Sequence, residues 1–310
     1  MNNTLLLEDD CLHAMQAIPD ASVNFVLCDL PYGTTQNSWD SVINLDKLWE
    51  QYRRVISPNG AIALMGQGSF TARLILSQEG LFKYKITWIK SKPTNFLNAK
   101  KQPLRKHEDI CIFYARQPNY RPQMFEGEPY DKGIRKNQLT GSYGDFRPAH
   151  IRSEGSRYPT DVIYFKTAES EGRVWHATQK PVGLGRYLIR TYTAPGDVVL
   201  DNCFGSGSFL VAAALEGRNS IGIEMNEGIE EFKGDPLDLF DVALERLDGL
   251  TDVAVLPLAE RAKQKLTVET FFNQIRKANG VTERSKRSCL NRHLQLSLDA
   301  RRDSQIPVPV

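Results

Sequence analysis

Two apolar segments far apart in the chain each run into an acidic residue followed by a loop. Residues 23–28 lead into Asp29, and residues 198–200 lead into Asp201. Short apolar runs bounded by turn residues are typical of strands that are buried on both faces of a parallel sheet. Because the carboxyl ends of parallel strands meet at one edge, we expect the two loops to share one crevice.

Strand and helix patterns alternate along most of the chain. The predicted strands are 5–7, 23–28, 61–65, 83–89, 109–114, 162–165, 198–201 and 220–224, and the predicted helices are 11–18, 46–55, 70–79, 181–192, 208–216 and 238–247. This alternation predicts an α/β fold with a doubly wound, mostly parallel sheet. Periodicity fades between residues 116 and 157, where Pro, Gly, Tyr and basic residues accumulate, so we expect an irregular insertion there.

The composition is that of a soluble, cytoplasmic protein. Hydrophobic residues make up 41% and charged residues 25%, and no apolar run approaches the roughly 20 residues that cross a bilayer. The first residues lack the pattern of a signal peptide. The five cysteines share no metal-type spacing, so we expect reduced thiols and no metal site. None follows a proline, which disfavours an enzyme that methylates cytosine carbon through a thiolate.

Positive charge is concentrated in one part of the chain. Residues 81–160 hold 16 Lys and Arg against 7 Asp and Glu, a local net charge of +9 in a chain of net charge +2. Aromatic residues are interspersed with these charges, as phosphate contact and base stacking require. They are Trp88, Phe96, Phe113, Tyr114, Tyr120, Phe125, Tyr130, Tyr143, Phe146 and Tyr158. The segment favours contact with nucleic acid over a merely solvated surface.

The second loop has the features of a cofactor site. Gly205 and Gly207 allow a sharp turn in which a ligand can approach peptide N–H groups at a helix start. Glu224 ends the next strand, where a doubly wound fold places a carboxylate on ribose hydroxyls. A tight structural turn is the alternative. A nicotinamide enzyme would share the geometry, but Leu210 stands where the last glycine of its fingerprint would be.

The first loop, Asp29-Leu30-Pro31-Tyr32, suits a planar base with an exocyclic amine. The lone pair of such an amine is delocalised into the ring, so it is a poor nucleophile. A carboxylate and a main-chain carbonyl that accept its hydrogens favour a pyramidal nitrogen, while a tyrosine ring can stack on the base. An ordinary turn is the alternative for this motif taken alone.

The two loops, their acids and the stretch His176-Ala177-Thr178-Gln179-Lys180-Pro181 together resemble the amino-methylating DNA methyltransferases that use S-adenosylmethionine. The first loop, Asp29 to Tyr32, is the base loop, and the second, Asp201 to Gly207, is the glycine loop. The base loop comes first, with a basic insertion between the two, as in the permuted β-class order. The similarity covers roughly residues 5–226. It implies a Rossmann-like methyltransferase fold with an inserted target-recognition region.

The resemblance also implies roles for individual residues. Asp29, Pro31 and Tyr32 would be catalytic and hold the target base. Asp201, Gly205 and Gly207 would surround the methionine part of the cofactor, Glu224 would bind its ribose, Asp10 would lie near its adenine, and the Thr178 to Pro181 stretch would close over its carboxylate. The cofactor-binding set implied is Asp10, Cys11, Thr178, Lys180, Asp201, Phe204, Gly205, Ser206, Gly207 and Glu224.

Two positions depart from the family pattern. Leu30 and the pair Asn202-Cys203 replace the more frequent prolines, without removing a proposed functional atom. The Asp-led base loop favours adenine N6 over cytosine N4, and an inactive DNA-binding regulator or a nicotinamide oxidoreductase is a further alternative. We assign His107 and Glu108 no catalytic role. A lone histidine such as His176 is more often structural.

The expected organisation is a discontinuous catalytic and cofactor-binding domain, 1–90 and 161–250, with a target-recognition insertion, 91–160. Residues 251–310 form a C-terminal extension that ends in a partly disordered tail beyond about Glu283. The partner is double-stranded DNA. Methylation of both strands of a symmetric DNA site is compatible with a homodimer or with successive binding events of a monomer. The sequence carries no information on the recognition site or on a restriction endonuclease partner.

Overall fold

The computed structural model describes residues 2–33, 42–135, 149–176, 178–226, 230–232 and 235–281. Its strands are β1 (Asn3–Glu8), β2 (Val23–Cys28), β3 (Ile56–Gly66), β4 (Phe82–Thr94), β5 (Arg105–Phe113), β6 (Phe125–Glu126), β7 (Tyr130–Arg135), β8 (Ala149–Ser153), β9 (Ser156–Arg157), β10 (Val162–Phe165), β11 (Val198–Asp201), β12 (Asn219–Glu224), β13 (Glu230–Phe232), β14 (Asp235–Leu237) and β15 (Asp252–Leu256). Its helices are α1 (Cys11–Ala14), α2 (Leu45–Val55), α3 (Ser69–Ser77), α4 (Val182–Tyr192), α5 (Ser208–Leu215), α6 (Leu239–Leu247) and α7 (Gln264–Val281).

In these ranges the main sheet has nine strands, in the order β10-β4-β5-β3-β2-β11-β12-β1-β15. Every neighbouring pair is parallel except β3 with β5 and β4 with β5. One strand, β5, therefore runs against the others. The predicted α/β fold with a doubly wound, mostly parallel sheet is confirmed.

Side chains of the central strands alternate between apolar clusters on the two faces of the sheet. On β2, Val26 and Cys28 pack with α1, α2 and α3, whereas Phe25 and Leu27 pack with α4 and α5. Because helices cover both faces, β2 and β11 are apolar along most of their length. This is why 23–28 and 198–200 stand out as continuous apolar runs.

The chain leaves β2 and β11 in opposite directions across the sheet. These strands are neighbours, with Phe25 opposite Val199 and Val26 opposite Leu200. After β2 the chain continues to β3 on one side, whereas after β11 it continues to β12 on the other. Loops that diverge at such a switch point leave a crevice between them. The two acidic loops are therefore adjacent, as expected from the sequence.

The boundaries of the insertion and of the C-terminal extension differ from those expected. Strand β5 lies inside 91–160 but pairs with β3 and β4, so it belongs to the main sheet. The described residues in the rest of that range form two small antiparallel pairs, β6 with β9 and β7 with β8. At the other end, β15 pairs with β1, so the main sheet extends past residue 250.

Helix α7 also packs on the main domain. Its Val268, Phe271, Phe272 and Ile275 are buried in the core beside β1. The predicted tail beyond Glu283 lies outside the described residues, as does Cys289. Among the residues described, no helix is long and apolar enough to span a membrane, and Cys11, Cys28, Cys111 and Cys203 are free thiols.

Candidate active site

The crevice between β2 and β11 is a cavity of about 700 Å³. A volume of this size is typical of sites that enclose a small molecule. The loops after β2 and β11 both line it, together with most of the positions singled out from the sequence. Those on its wall are Asp10, Cys11, Asp29, Pro31, Tyr32, Thr178, Lys180, Asp201, Phe204, Gly205, Ser206 and Glu224. Gly207 does not line the cavity and is the N-cap residue of α5.

Asp29 is held by two donors. The Tyr32 hydroxyl donates to Oδ1 at 2.6 Å, and Nζ of Lys180 donates to Oδ2. Burial raises the pKa of Asp29 above its ordinary value, although Lys180 opposes the rise. The Tyr32 ring stacks on Phe70 with centroids 4.9 Å apart, so Phe70 supports one side of it. The carboxylate and ring are thus fixed before any substrate arrives.

Lys180 lies between two carboxylates, a contact that the sequence analysis missed. Its Nζ is 3.5 Å from Oε2 of Glu108, while Lys90 Nζ is 3.0 Å from Oε1 of the same residue. Burial alone would lower the pKa of Lys180, but Asp29 and Glu108 outweigh it and raise the pKa. Burial would likewise raise the pKa of Glu108, but Lys180 and Lys90 hold it below its ordinary value. Negative and positive side chains therefore alternate along this wall, in the order Asp29, Lys180, Glu108 and Lys90.

Glu108 thus belongs to the wall of the site, although the sequence analysis assigned it no catalytic role. It lies on β5 opposite Trp88 of β4. Strand alternation places Lys90 on the same face as Trp88. This pairing of an acid and a lysine on adjacent strands could have been recognised only if the register of the hairpin had been known.

The glycine loop is bound to the end of β12. The amide of Gly205 donates to Oε2 of Glu224 at 2.8 Å, and Gly205 has φ +50°. A Cβ at Gly205 would meet no atom within 4 Å, so the space beside it is open. Gly207 has φ +75°, and a Cβ there would lie 3.3 Å from Ala243 of α6. Gly205 therefore faces open space, whereas Gly207 permits close helix packing.

Arg246 of α6 supports the glycine loop from behind. Its guanidinium donates to the Ser206 carbonyl and, at 3.1 Å each, to the hydroxyls of Ser206 and Ser208. Burial lowers the pKa of Arg246 to about 10. No local motif marks this residue, because it reaches the loop from an element some forty positions further along the chain. The contact fixes the loop's main chain at the start of α5.

Asp10 and Thr178 have structural partners as well as a place on the cavity wall. Asp10 caps α1, since its Oδ1 accepts hydrogen bonds from the amides of Leu12 and His13. The Thr178 hydroxyl is 3.0 Å from Nδ1 of His176. Beside Asp201, Asn202 accepts a hydrogen bond from the Tyr52 hydroxyl at 2.6 Å. This contact gives the unusual Asn202 a structural purpose.

The thiols near the cavity are poorly suited to act as nucleophiles. Burial raises the pKa of Cys28 to about 12. The pKa of Cys11 is also raised, by its hydrogen bond with Cys203 and by burial. Because the thiolate is the reactive form of cysteine, these side chains stay protonated and inert near neutral pH. The cavity therefore favours chemistry without a covalent cysteine intermediate.

The aromatic residues of the basic segment differ in exposure, and Tyr114 and Tyr130 are half-buried. Trp88 and Phe113 are buried in the main core, so the expectation that they stack on bases is wrong for these two. Phe96, Tyr120, Phe125 and Tyr158 are exposed. Tyr143 and Phe146 lie outside the described residues.

Asp201 has a strongly shifted acidity that predicts a pH-dependent stability. Burial raises the pKa of Asp201 from 3.8 to about 8, and Glu224 and Asp29 add to the rise. The folded protein therefore keeps a proton on Asp201 that the unfolded chain releases between pH 3.8 and about 8. The contribution of this proton to the free energy of unfolding is complete below pH 3.8 and is lost as the pH approaches 8. Asp201→Asn should become increasingly more stable than the wild type across that window, and the difference should level off above it.

Urea denaturation from about pH 4 to pH 9 measures this difference in the free energy of unfolding. The control is Asp20→Asn, whose carboxyl is exposed and pairs with Arg54 at the surface. An Asp201→Asn effect that is the same at every pH would contradict the assigned protonation.

The chain is similar to a known protein family and to one of its characterised members. A family model described as DNA methylase matches residues 23–232. DNA adenine methyltransferase YhdJ of Escherichia coli (strain K12) is 26% identical over 278 residues, which cover 84% of this chain and 88% of that protein.

Two solved structures share the fold at lower identity. The M1.HpyAVI–SAM complex is similar with a TM-score of 0.52 at 20% identity, over 79% of this chain and 99% of that one. The PvuII DNA methyltransferase (cytosine-N4-specific) has a TM-score of 0.56 at 14% identity, over 89% of this chain and 93% of the other.

Proposed function

The chain belongs to the N6/N4 DNA methylase family, and on this premise we propose that it transfers a methyl group from S-adenosylmethionine to N6 of adenine in double-stranded DNA. The match confirms the resemblance to this family that the two loops indicated. The observation that carries the proposal is that the Asp29 carboxylate and the Gly205 loop face one cavity. A base and a methyl donor can therefore meet there.

The residues present fit the cofactor. The open space beside Gly205 accepts a ligand against the main chain, where Asp201 and Ser206 also line the wall. Glu224 and Asp10 offer carboxylates for hydroxyl and amine hydrogens, and Cys11, Phe204 and Thr178 also line the cavity. S-adenosylmethionine supplies an electrophilic methyl group on its sulfonium. We assign the glycine loop to its methionine part and Glu224 to its ribose.

Asp29 orients the target amine. Its carboxylate and the Pro31 carbonyl accept the two amino hydrogens, which concentrates the nitrogen lone pair on the side that faces the methyl donor. In the structure Lys180 occupies Oδ2 of Asp29, so the arriving amine shares that oxygen or displaces Lys180 toward Glu108. A neutral amine and a cationic donor need positioning more than a general base, and the final proton can leave to solvent.

Two observations favour adenine over cytosine. The base loop begins with Asp29 rather than with serine, and the relative that is 26% identical is named as an adenine methyltransferase. The cytosine-N4 enzyme among the solved structures is 14% identical and bears on the fold alone. Adenine N6 and cytosine N4 are both exocyclic amines beside a ring nitrogen, so the same loop chemistry serves either base.

Mass spectrometry of nucleosides tests this choice. DNA from cells that express the chain should contain N6-methyladenine in excess of DNA from the same cells expressing Asp29→Ala. N4-methylcytosine in place of N6-methyladenine would overturn the choice of base, and methylated nucleosides in RNA alone would overturn the choice of substrate. Sequencing of the modified positions then gives the recognition site.

DNA recognition falls to the part of 91–160 that lies outside β5. Its exposed aromatic residues include Tyr120, Phe125 and Tyr158, and the surrounding Lys and Arg provide contacts to phosphates. Phosphate contacts position the duplex, whereas side chains that reach base edges read its sequence. Methylation on both strands of a symmetric site is compatible with a monomer or with a homodimer.

A further inference from the structure

The loop that joins β4 and β5, residues 95–104, projects from the sheet edge beside the cavity. Thr94 pairs with Arg105 at its base, and Thr94, Asn95 and Arg105 line the same cavity as Asp29. We call residues 95–104 the hairpin loop. It therefore stands on the rim through which a nucleotide would enter.

The hairpin loop is ordered by its own hydrogen bonds. Asn95 adopts the left-handed conformation, with φ +69°, and its Oδ1 accepts from Nδ2 of Asn98 at 2.7 Å. The amides of Ala99 and Lys101 donate to the carbonyls of Phe96 and Asn98 at 3.1 and 2.8 Å. The side chains at the turn are thus presented by a defined backbone.

Two large apolar side chains stand exposed at this turn. Phe96 is 75% exposed and Leu97 is 84% exposed. We call this pair the apolar tip. Adjacent exposed apolar residues on a hydrogen-bonded turn are unfavourable in water, so they indicate a surface that is covered during function.

The charge around the apolar tip identifies what covers it. Lys100, Lys101, Arg105 and Lys106 are exposed, and residues 91–107 contain no Asp or Glu. A cationic hairpin with an apolar end is complementary to a nucleic-acid duplex, whose outside is anionic and whose stacked interior is apolar. An acidic or purely apolar protein surface would match only one of these features.

We propose that Phe96 and Leu97 enter the DNA duplex and fill the stack at the position that the target base vacates. The inference rests on the proposed function, because a base must leave the duplex to reach Asp29. Unstacking is costly, and an inserted apolar side chain restores contact with the neighbouring bases. The basic residues of the hairpin loop hold the backbone on either side.

A comparison of two duplexes tests the proposal. One carries the mapped target adenine paired with thymine, and the other carries it opposite an abasic position, where it leaves the stack readily. The double variant Phe96→Ala/Leu97→Ala should lose roughly tenfold or more in kcat/KM on the paired duplex. It should regain most of the wild-type rate on the abasic duplex, since the step it assists has been removed.

Matched variants separate insertion from other effects. Leu76→Ala removes a side chain that is 74% exposed on α3 and should not change either rate. Phe96→Leu/Leu97→Met keeps apolar bulk and should retain activity on paired DNA. Lys100→Ala/Lys101→Ala should weaken binding to both duplexes alike and reduce its salt dependence.

Each other outcome overturns the inference. Wild-type rates for the double alanine variant on paired DNA would show that the apolar tip does not assist extrusion. An equal loss on both duplexes would show a general binding contact instead. If the wild type itself methylates neither duplex, the proposed function fails, and the inference that rests on it fails too. If the wild type methylates both duplexes, the proposed function holds, and a negative result with the variants then concerns the inference alone.

Discussion

Asp29→Ala is expected to lower methyl transfer to DNA by about 1,000-fold or more, as loss of an oriented polar group in an active site does. The substitution removes the acceptor for the target amine, and it also leaves Tyr32 and Lys180 without their shared partner. Affinity for S-adenosylmethionine should stay within about twofold, because the contacts to the cofactor are assigned to the glycine loop and Glu224 and not to Asp29. Single-turnover transfer of labelled methyl groups and calorimetric titration of the cofactor measure the two quantities.

Asp29→Asn separates the carboxylate's charge from its shape. The amide has nearly the same volume, so the cavity is preserved, but one of its two hydrogen-bonding atoms becomes a donor and repels the amine. We expect nearly the same loss of rate as for alanine, with Asp20→Asn at the surface behaving as the wild type. A wild-type rate in either Asp29 variant would contradict the role assigned to this carboxylate.

Gly205→Ala is expected to have the opposite profile. It should weaken S-adenosylmethionine binding by roughly tenfold or more, which corresponds to about 1.4 kcal/mol, while DNA affinity stays unchanged. The new Cβ meets no protein atom within 4 Å, so it projects into the space assigned to the cofactor. The left-handed backbone at φ +50° adds strain of about 1–2 kcal/mol to the folded state.

Gly249→Ala is a closely matched control for this strain. Gly249 has φ +68°, and a Cβ there also meets no atom within 4 Å, but Gly249 does not line the cavity. Both variants should lose similar thermal stability, and only Gly205→Ala should lose cofactor affinity. Equal cofactor affinity in the two variants would contradict the placement of the cofactor against the glycine loop.

The position of the site could be predicted from the sequence because it depends on topology. The runs that end at Asp29 and Asp201 are buried strands, and parallel strands place their following loops at one edge. The adjacency of β2 and β11 makes that edge a switch point. Local patterns also sufficed for most helices, since each had apolar residues at helical spacing.

The contacts that hold the site could not be predicted in the same way. Lys180 reaches Glu108 of β5 from the loop before α4, and the Lys90–Glu108 pair depends on the register of β4 with β5. Arg246 reaches Ser206 from α6, which no local pattern indicates. Helix α7 is a different case, because Val268, Phe271, Phe272 and Ile275 have the spacing of one helical face. That signal was present in the sequence but was not used.

A crystal structure with S-adenosylhomocysteine and duplex DNA containing the mapped site tests the central claim most directly. We predict that the sulfur lies against the loop of Asp201 and Gly205 while the extruded adenine's amine donates to the Asp29 carboxylate, with both ligands in the one cavity. S-adenosylhomocysteine bound away from the glycine loop, or a target adenine held by residues other than Asp29, would contradict it.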